Sequence, residues 1–496
     1  MILRNAQIFG SPAGQLVDVV IDQGTITRIA QAGDIAPSRD HEERALDGRV
    51  LHGGFWDEHV HMGLWSEYRK RVSLEPAPSA REAAELMASA PGARSGDDLL
   101  IGAGFRDGLW PDEKTAELLD EYSGDRPWLL WSVDVHSCWL NTAATRLLGV
   151  EHALPSGVLT ERDAFALADK LSQVDAGVRD QWISEAIVEA NQRGVVGVVD
   201  FDFDDNHANW SRRRAGRDDW ELRVEAAVYP DYFDQAIARG DRTGVDIAPG
   251  VRVGPLKVIT DGSLNTRTAY CCEPYRGIPG VEYGAMNYPT DELEVLMVRA
   301  KEVGFSPAFH AIGDEANRIV LDVFESVGLQ GRIEHAQLLR DVDFTRFAKL
   351  GVTASVQPQH AVDDRDVADH YWSDRTDRVI ALRSLVDADA HVIFGSDAPV
   401  SALDPMAQIA AAVTRTDDQR AAWEANQRVT LAEAMRASAR TTVEEGQPAD
   451  LVVLGADPEW LSRALANDAV RLGQALRELP IDLTMVAGRI THDSLA

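Results

Sequence analysis

Short apolar runs alternate with segments of helical period from about residue 190 to about residue 396, and this alternation predicts repeated strand–helix units. The clearest unit begins at Thr290, where apolar residues recur every three or four positions as far as Val303. Gly304 follows at the point where such a helix ends. The run from Phe305 to His310 then has the composition of a buried strand. The pattern therefore predicts an α/β fold.

Eight apolar runs of this kind predict eight strands, which is the number that a TIM barrel requires. They lie near residues 54–60, 195–201, 223–229, 254–260, 305–310, 332–335, 352–356 and 391–396. Polar and ionisable residues stand at the C-terminal ends of these runs, on the face where such barrels carry their chemistry. These residues are His59, His61, Asp200, Lys257, His310, His335, Gln357 and Asp397.

Both ends of the chain carry strand patterns outside the predicted barrel. Val17, Val19 and Ile21 alternate with other residues, and residues 449–454 and 483–490 contain similar runs. We expect residues 1–50 and 445–496 to assemble one small β domain. Residues 51–444 then form the barrel domain.

About 130 residues separate the first two predicted barrel strands, which is far more than a connection needs. We interpret residues 65–190 as an inserted subdomain that serves as a lid. Its tryptophans either form a partly aromatic cover over the barrel mouth or fill the core of the insertion itself. They are half of the twelve tryptophans of the chain: Trp65, Trp110, Trp128, Trp131, Trp139 and Trp182.

The composition narrows the classes of partner. The chain has 49 basic and 80 acidic residues, a formal charge of −31, and no basic cluster. Such a chain repels phosphate backbones and anionic lipid, so we expect neither a nucleic-acid nor a membrane partner. The first residues contain no signal-peptide pattern, and the three cysteines are odd in number with two of them adjacent. We therefore expect a reducing, cytoplasmic location.

Candidate metal ligands stand at the predicted strand ends. His59 and His61, in the segment GGFWDEHVHM, are two residues apart, so strand alternation places both imidazoles on one side. His310, His335 and Asp397 end three other predicted strands and join them if the eight runs form one barrel. Imidazole with carboxylate suits zinc or a similar divalent metal. Each residue alone could instead be a hydrogen-bonded core residue or, for Asp397, part of a turn.

Lys257 lies inside an apolar run, in the segment GPLKVITDGS. A buried, unpaired ammonium group is costly, so its position indicates either a salt bridge or a chemically altered lysine. A neutral amine can add carbon dioxide and become a carbamate, an anionic oxygen ligand that is able to bridge two metal ions. The sequence leaves both interpretations open.

The ordered set HVH, Lys257, His310, His335 and Asp397 resembles that of the amidohydrolase superfamily. Longer segments resemble the amidohydrolase 3 family, the branch that includes the N-substituted formamide deformylases. These segments are DVHSCWLNTAA, LKVITDGSLNTRTAY, FHAIGDEANR, RIEHAQ, SVQPQH, GSDAPV and GQPADLVVL. The resemblance implies a distorted TIM (β/α)8 barrel with a small β-sandwich formed by both termini.

The resemblance also implies roles for the matching residues. His59 and His61 would bind one metal ion, and His310 and His335 a second. Carboxylated Lys257 would bridge the two ions, and Asp397 would be both ligand and general base. Because family members differ in metal count, we expect one or two zinc ions per chain. Family members often associate, so the resemblance implies a homodimer.

Further polar residues near the predicted barrel mouth are candidates for substrate contacts. A structural role is an equal alternative for each of them, such as a salt bridge for Arg267. The candidates are His136, Asn141, Asp261, Arg267, Gln357 and His360.

Residues and resemblance together predict a metal-dependent amidohydrolase that cleaves carbon–nitrogen bonds other than peptide bonds. A metal-activated hydroxide would attack the carbonyl carbon, and Asp397 would pass a proton to the leaving nitrogen. The resemblance favours an N-acyl or N-formyl amine as the substrate. The tryptophans of the insertion suggest an apolar or aromatic substituent.

Three alternatives stay open at this point. A cyclic amidase would use the same residues. A mononuclear deaminase is disfavoured, because such enzymes usually carry a Glu three residues after the fifth-strand His and this chain has Gly313 there. A non-catalytic metal-binding barrel would be expected to lack Asp397 or a ligand histidine, yet all are present.

Overall fold

The structure is a computed structural model and describes residues 1–37, 41–94, 96, 98–171, 175–217, 220–277 and 283–495. Strands are numbered along the chain: β1 (Ile2–Ile8), β2 (Leu16–Asp22), β3 (Thr25–Gln31), β4 (Glu43–Ala45), β5 (Val50–Gly53), β6 (Phe55–Val60), β7 (Val72–Ser73), β8 (Leu100–Phe105), β9 (Trp128–Ser132), β10 (Ser137–Leu140), β11 (Val158–Thr160), β12 (Val195–Asp200), β13 (Arg223–Val228), β14 (Asp246–Ala248), β15 (Val251–Ile259), β16 (Pro307–Ala311), β17 (Arg332–His335), β18 (Thr353–Val356), β19 (Val392–Phe394), β20 (Leu451–Leu454), β21 (Ile481–Val486) and β22 (Arg489–Asp493).

The helices are numbered in the same way: α1 (Met62–Tyr68), α2 (Ala80–Ser89), α3 (Ala116–Ser123), α4 (Thr142–Leu148), α5 (Glu161–Leu171), α6 (Ala176–Gln192), α7 (Asn206–Arg214), α8 (Pro230–Arg239), α9 (Thr290–Val303), α10 (Asp314–Val327), α11 (Phe344–Leu350), α12 (His360–Asp363), α13 (Arg365–Tyr371), α14 (Leu382–Asp387), α15 (Pro405–Thr414), α16 (Leu431–Ala437), α17 (Pro458–Ala464) and α18 (Ala469–Arg477). In the part of the chain that the structure describes, no helix has both the length and the apolar character needed to cross a membrane.

The eight predicted barrel strands are all present in one parallel sheet. Its order is β6, β12, β13, β15, β16, β17, β18 and β19, with the short β14 paired antiparallel to β15. A parallel bridge between Val60 and Ala398, just beyond β19, brings the first and last strands together. Every residue of β12 is buried, as a parallel sheet covered by helices requires. The predicted α/β barrel is confirmed, in a nearly closed form.

The helices predicted from apolar periodicity lie outside the barrel. α10 buries Ile319, Val320, Val323 and Phe324 on one face and ends at Gly328, whose φ of 61° is left-handed. α9 ends in the same way at Gly304. Glycine adopts this backbone without a Cβ clash, which is why both helices stop where the sequence indicates.

The two ends of the chain meet in a second sheet. Its main order is β22, β21, β20, β5, β1, β2 and β3, and β4 pairs with β1. Leu3, Leu51, Leu451 and Leu483 are fully buried in its core. We propose that this sheet corresponds to the domain expected from residues 1–50 and 445–496, with β5 as its last amino-terminal strand.

A third sheet is formed by residues that lie between the first two barrel strands along the chain. It has the order β11, β10, β9, β8 and β7, and α2 to α5 accompany it. α6, which the sequence analysis places in the same insertion, packs instead against α1 and β12 of the barrel. We therefore propose residues 72–171 as the insertion proper, a shorter segment than 65–190.

Candidate active site

The barrel strands converge at their C-terminal ends on one cavity. Loops from the third sheet and from the barrel complete its wall. All six residues predicted to bind metal line this cavity: His59, His61, Lys257, His310, His335 and Asp397.

Three of these residues form the most compact group. One ligand atom each of His59, His335 and Asp397 lies within 4.8 Å of the others, and all three residues are buried. The Asp397 Oδ1 atom lies 3.5 Å from His59 Nε2 and 3.4 Å from His61 Nε2. His310 is next to the group, with its ring centroid 4.4 Å from that of His335. The tightest group therefore takes one histidine from each pair that the resemblance assigned to separate ions.

The backbone at two strand ends is left-handed. φ is 72° at His335 and 58° at Asp397. Residues other than glycine pay about 1–3 kcal/mol for such a conformation, and it is concentrated at functional sites. The left-handed backbone at His335 interrupts strand alternation, so the side chains of Glu334 and His335 both reach His59. The Glu334 carboxylate accepts a hydrogen bond from His59 Nδ1, and the His335 ring centroid lies 5.0 Å from that of His59.

Glu334 orients the imidazole of His59. The Nδ1···Oε2 distance is 2.7 Å, which leaves Nε2 as the nitrogen that faces Asp397. A carboxylate behind a ligating histidine is the usual arrangement in metal sites, because it sets the tautomer and the ring orientation. Burial opposes the ionised form of Glu334, but Arg332, His59 and Lys257 together outweigh burial and hold the pKa of Glu334 well below its ordinary value.

Burial also sets the charge of the histidines. It lowers the pKa of His59 to about 4, with the positive charge of Lys257 as the next cause. The pKa values of His310 and His335 are also well below the ordinary value, again chiefly because of burial. These imidazoles are therefore neutral near pH 7, which is the form that binds metal.

Asp397, unlike these histidines, is in its charged form. Burial by itself would raise its pKa, but His59, His61 and His335 together outweigh burial and hold the pKa well below the ordinary value. Its carboxylate is thus ionised and available as a ligand or as a base.

Lys257 is 1% exposed, and its Nζ atom lies 3.4 Å from His59 Nε2 and 4.3 Å from the ring centroid of Phe201. Burial lowers its pKa to about 8. No carboxylate of the described residues lies within 4.0 Å of this amine, so the salt bridge that was one of its two interpretations is not formed.

The donor set fits a divalent metal ion. The Nδ1 atoms of His61 and His335 are buried and have no hydrogen-bond partner within the described chain. Leaving a buried polar atom without a partner is costly, and a ligand in the cavity would remove that cost. Imidazole nitrogens with a carboxylate oxygen suit zinc and similar ions.

Two of the six predicted substrate contacts line the cavity, His136 and His360. The ring of His360 stacks on that of His335 at 6.1 Å, and its Nε2 atom is 3.9 Å from Asp397 Oδ2. His136 pairs with Glu161 at 2.9 Å. Burial opposes a charge on His136, but Glu161 more than compensates and raises the pKa of His136 to about 9.

The other four predicted contacts are not brought to the cavity wall. Asn141 caps α4 and binds Ser123 and Trp128 inside the insertion. The Asp261 carboxylate accepts three backbone N–H groups, and burial raises its pKa to about 7. Gln357 is fully buried. Arg267 lies over the ring of Tyr371 at 5.8 Å. None of these four residues lines the cavity, and their substrate contacts stay predictions.

The burial of the tryptophans favours one of their two interpretations. No tryptophan lines the cavity as the structure describes it, and Trp128, Trp131 and Trp139 are at most 3% exposed in the insertion. They fill its core, as the alternative interpretation stated. The aromatic wall consists instead of Phe165, Phe203 and Tyr229. Phe203 lies in the loop that follows β12, so its position after a barrel strand was a usable signal.

Glu334 and Glu161 were not predicted from the sequence. Glu334 immediately precedes His335, and strand alternation argues against both side chains facing one site. Glu161 lies in the insertion, and its contact with the barrel loop at Thr266 and Thr268 depends on how the insertion folds back. No local sequence pattern marks that contact.

Comparisons with known proteins point to one family. A model of the amidohydrolase family matches residues 42–492. The chain is 25% identical to the putative amidohydrolase YtcJ of Bacillus subtilis, over 92% of this chain and 91% of that protein. It is 24% identical to the N-substituted formamide deformylase of Arthrobacter pascens, over 96% and 94%. An uncharacterised metal-dependent hydrolase of Pyrococcus horikoshii has the same fold, with a TM-score of 0.75 and 24% identity over 92% of this chain and 97% of that one.

Proposed function

The chain belongs to the amidohydrolase family, whose members include metal-dependent hydrolases, and from this premise we propose that it cleaves an amide-like carbon–nitrogen bond other than a peptide bond. N-acyl and N-formyl amines are the favoured substrates. One observation carries the proposal. Neutral, buried histidines and an ionised carboxylate converge on a single cavity at the C-terminal face of the barrel.

His59, His335 and Asp397 would hold the metal ion, which supplies a Lewis acid and lowers the pKa of a water molecule from 15.7 to about 7 when bound. Glu334 keeps the proton of His59 on Nδ1. Asp397 accepts a proton from the attacking water and delivers it to the leaving nitrogen, because its carboxylate is ionised and lies on the cavity wall.

A second ion is part of the proposal. His61 and His310 line the cavity beside the compact group, and zinc suits this donor set. Lys257 is the candidate bridge as a carbamate. Its support is a buried amine with a pKa of about 8 and no carboxylate partner among the described residues. About a tenth of this amine is neutral at pH 7 and about half at pH 8, and the neutral form can add carbon dioxide.

The cavity wall supports an apolar or aromatic substituent on the substrate. Phe203 stacks on His61 at 4.9 Å and lies 6.2 Å from Phe165 and 5.3 Å from Tyr229, measured between ring centroids. Phe203 is 38% exposed, although most large apolar residues of the barrel are buried. A substituent that covers this ring would remove apolar surface from water.

The test is amine release from a panel of N-formyl and N-acyl amines by zinc-loaded protein. The panel also contains a hydantoin, an aminopurine and a dipeptide. We expect turnover of the acyl amines, with kcat reduced about 10²–10⁴-fold in Asp397→Asn. Asp389→Asn is the matched control, because Asp389 has nearly the same φ, 57°, but is exposed and away from the cavity.

Two results would contradict the proposal. Turnover confined to the hydantoin or to the aminopurine would replace it with a cyclic amidase or a deaminase. Bound zinc without turnover of any member would favour a non-catalytic metal-binding barrel.

A further inference from the structure

His136 reaches the cavity from outside the barrel. It lies in the loop between β9 and β10 of the third sheet, is 9% exposed, and lines the cavity together with the predicted metal ligands. Its ring centroid is 6.3 Å from that of His310 and 5.3 Å from that of Phe165. The insertion therefore places an imidazole beside the region where the reaction is proposed to occur.

Glu161 makes two hydrogen bonds with His136, one to its imidazole and one to its backbone carbonyl. The Glu161 Oε2 atom lies 2.9 Å from His136 Nδ1, and the backbone N–H of Glu161 donates to the carbonyl of His136 at 2.8 Å. Glu161 itself has a left-handed φ of 50°, a strained conformation for this residue. Nδ1 is thus committed to the carboxylate, and Nε2 is the ring nitrogen left for a ligand.

The same carboxylate fastens the insertion to the barrel. Its Oε1 atom accepts hydrogen bonds from the hydroxyls of Thr266 at 3.1 Å and Thr268 at 2.8 Å, in the loop that follows β15. Asp134 makes a parallel connection, because it accepts the hydroxyl of Ser263 in that loop and the backbone N–H of His136. The loop after the Lys257 strand and the His136 loop are therefore held as one unit.

A carboxylate at Nδ1 favours a proton on both ring nitrogens, because it stabilises the positive charge of the imidazolium. Nε2 is then a hydrogen-bond donor. A preorganised donor in a largely buried cavity stabilises an oxygen that gains negative charge, and it needs no rearrangement during the reaction.

We propose that His136 donates a hydrogen bond from Nε2 to the carbonyl oxygen of the substrate as that oxygen becomes an oxyanion, with Glu161 as the residue that positions it. This assignment rests on the proposed function. It makes the insertion part of the catalytic site. Glu161 does not touch the substrate and acts only through His136.

The experiment compares His136→Gln with His136→Asn in the zinc-loaded enzyme, on the best acyl amine of the panel. The Gln amide reaches the position of Nε2 and can donate there, whereas the Asn amide replaces Nδ1 and keeps only the contact with Glu161. We expect kcat to fall about 100-fold or more in His136→Asn and clearly less in His136→Gln. KM should change less than about threefold, since the contact strengthens only in the transition state.

A double-mutant cycle tests Glu161. Glu161→Gln should lower kcat about tenfold in the wild-type background and have no effect in His136→Asn, because Glu161 acts through the histidine. His207→Asn is the control, since His207 lies 3.0 Å from Asp241 in a similar pair outside the cavity. Zinc content and melting temperature should stay at wild-type values in the His136 variants.

Three other outcomes would overturn the assignment in whole or in part. Equal kcat values in His136→Asn and wild type would remove His136 from the reaction while leaving the proposed function intact. Additive effects of Glu161→Gln and His136→Asn would make Glu161 a structural residue. Absence of turnover by the wild type on the whole panel would overturn the proposed function and this assignment with it.

Discussion

At the residue scale, the orientation of the predicted metal ligands depends on the residues that hydrogen-bond to them. His59 presents Nε2 to the cavity because Glu334 occupies its Nδ1 atom, and Glu334 stays ionised because Arg332 lies against it. Arg332 also donates to Glu58, so a buried charge network continues beneath the site.

Glu334→Gln should weaken zinc binding about 10–100-fold, because a neutral amide orients and polarises His59 less than a carboxylate does. Chelator competition measures the affinity. Glu58→Gln is the matched control, since Glu58 shares Arg332 with Glu334 but does not contact His59. An equal loss of affinity in both variants would show that the effect comes from the charge network and not from His59.

Lys257→Ala should lower the zinc content from about two ions per chain to one or fewer, after growth with zinc and bicarbonate, because the bridging carbamate is lost. Plasma mass spectrometry of both proteins, purified together, measures the content. Lys301→Ala, which removes an exposed lysine, should leave it unchanged. One ion in both wild type and Lys257→Ala would exclude the bridge and make Lys257 structural.

At the element scale, strand ends and helix ends are set by local chemistry. α16 begins with a capping box, in which the Thr430 hydroxyl accepts from the backbone N–H of Glu433 and the Glu433 carboxylate accepts from that of Thr430. Arg383 also donates two hydrogen bonds to Glu433, from α14. These contacts link two helices of the barrel exterior.

Glu433 should make stability depend on acid pH. Hydrogen bonds from Arg383, together with those from Thr430, lower its pKa from 4.5 to about 2. A carboxyl group whose pKa is lower in the folded state than in the unfolded state stabilises the fold. This stabilisation is complete above the pKa of the unfolded state and is lost as the pH falls towards the pKa of the folded state. Glu433→Gln should thus cost about 1 kcal/mol at pH 7, and the difference in melting temperature from wild type should shrink below about pH 4.

The control for this prediction is Glu444→Gln, which changes an exposed carboxylate outside the cap. It should not alter the melting temperature at either pH. A constant difference between Glu433→Gln and wild type from pH 7 to pH 3.5 would contradict the assigned role of the charge.

At the scale of the whole molecule, three sheets are joined by polar contacts. Asp450, just before β20, accepts two hydrogen bonds from Arg223 of the barrel strand β13 and one from the backbone of Ala487. Glu161 and Asp134 connect the insertion to the barrel in the same manner.

Asp450→Ala should destabilise the barrel and the terminal sheet together by about 3 kcal/mol, because it leaves Arg223 and a backbone N–H without their buried partner. Scanning calorimetry should show one transition shifted to lower temperature. Asp482→Ala removes the more exposed contact with Arg49 and should cost about 0.5–1 kcal/mol. Separate transitions for the two sheets in Asp450→Ala would show that they unfold independently.

Apolar periodicity was enough to locate all eight barrel strands and the glycines that end α9 and α10, because parallel strands and amphipathic helices are patterned by local burial. The set of ligand types at strand ends was predictable for the same reason, since C-terminal ends of parallel strands meet at one face. His59, His61, Lys257, His310, His335 and Asp397 were found in this way.

Tertiary structure decided which polar residues face the cavity. Asn141, Asp261, Arg267 and Gln357 have suitable side chains, but backbone groups and neighbouring side chains take their hydrogen bonds or bury them. Glu334 depends on the left-handed turn at His335. The sequence by itself determined the barrel and its ligand types, because periodic burial is a local property. Pairings such as Glu161 with Thr268 join residues 107 positions apart, and only the folded chain brings them together.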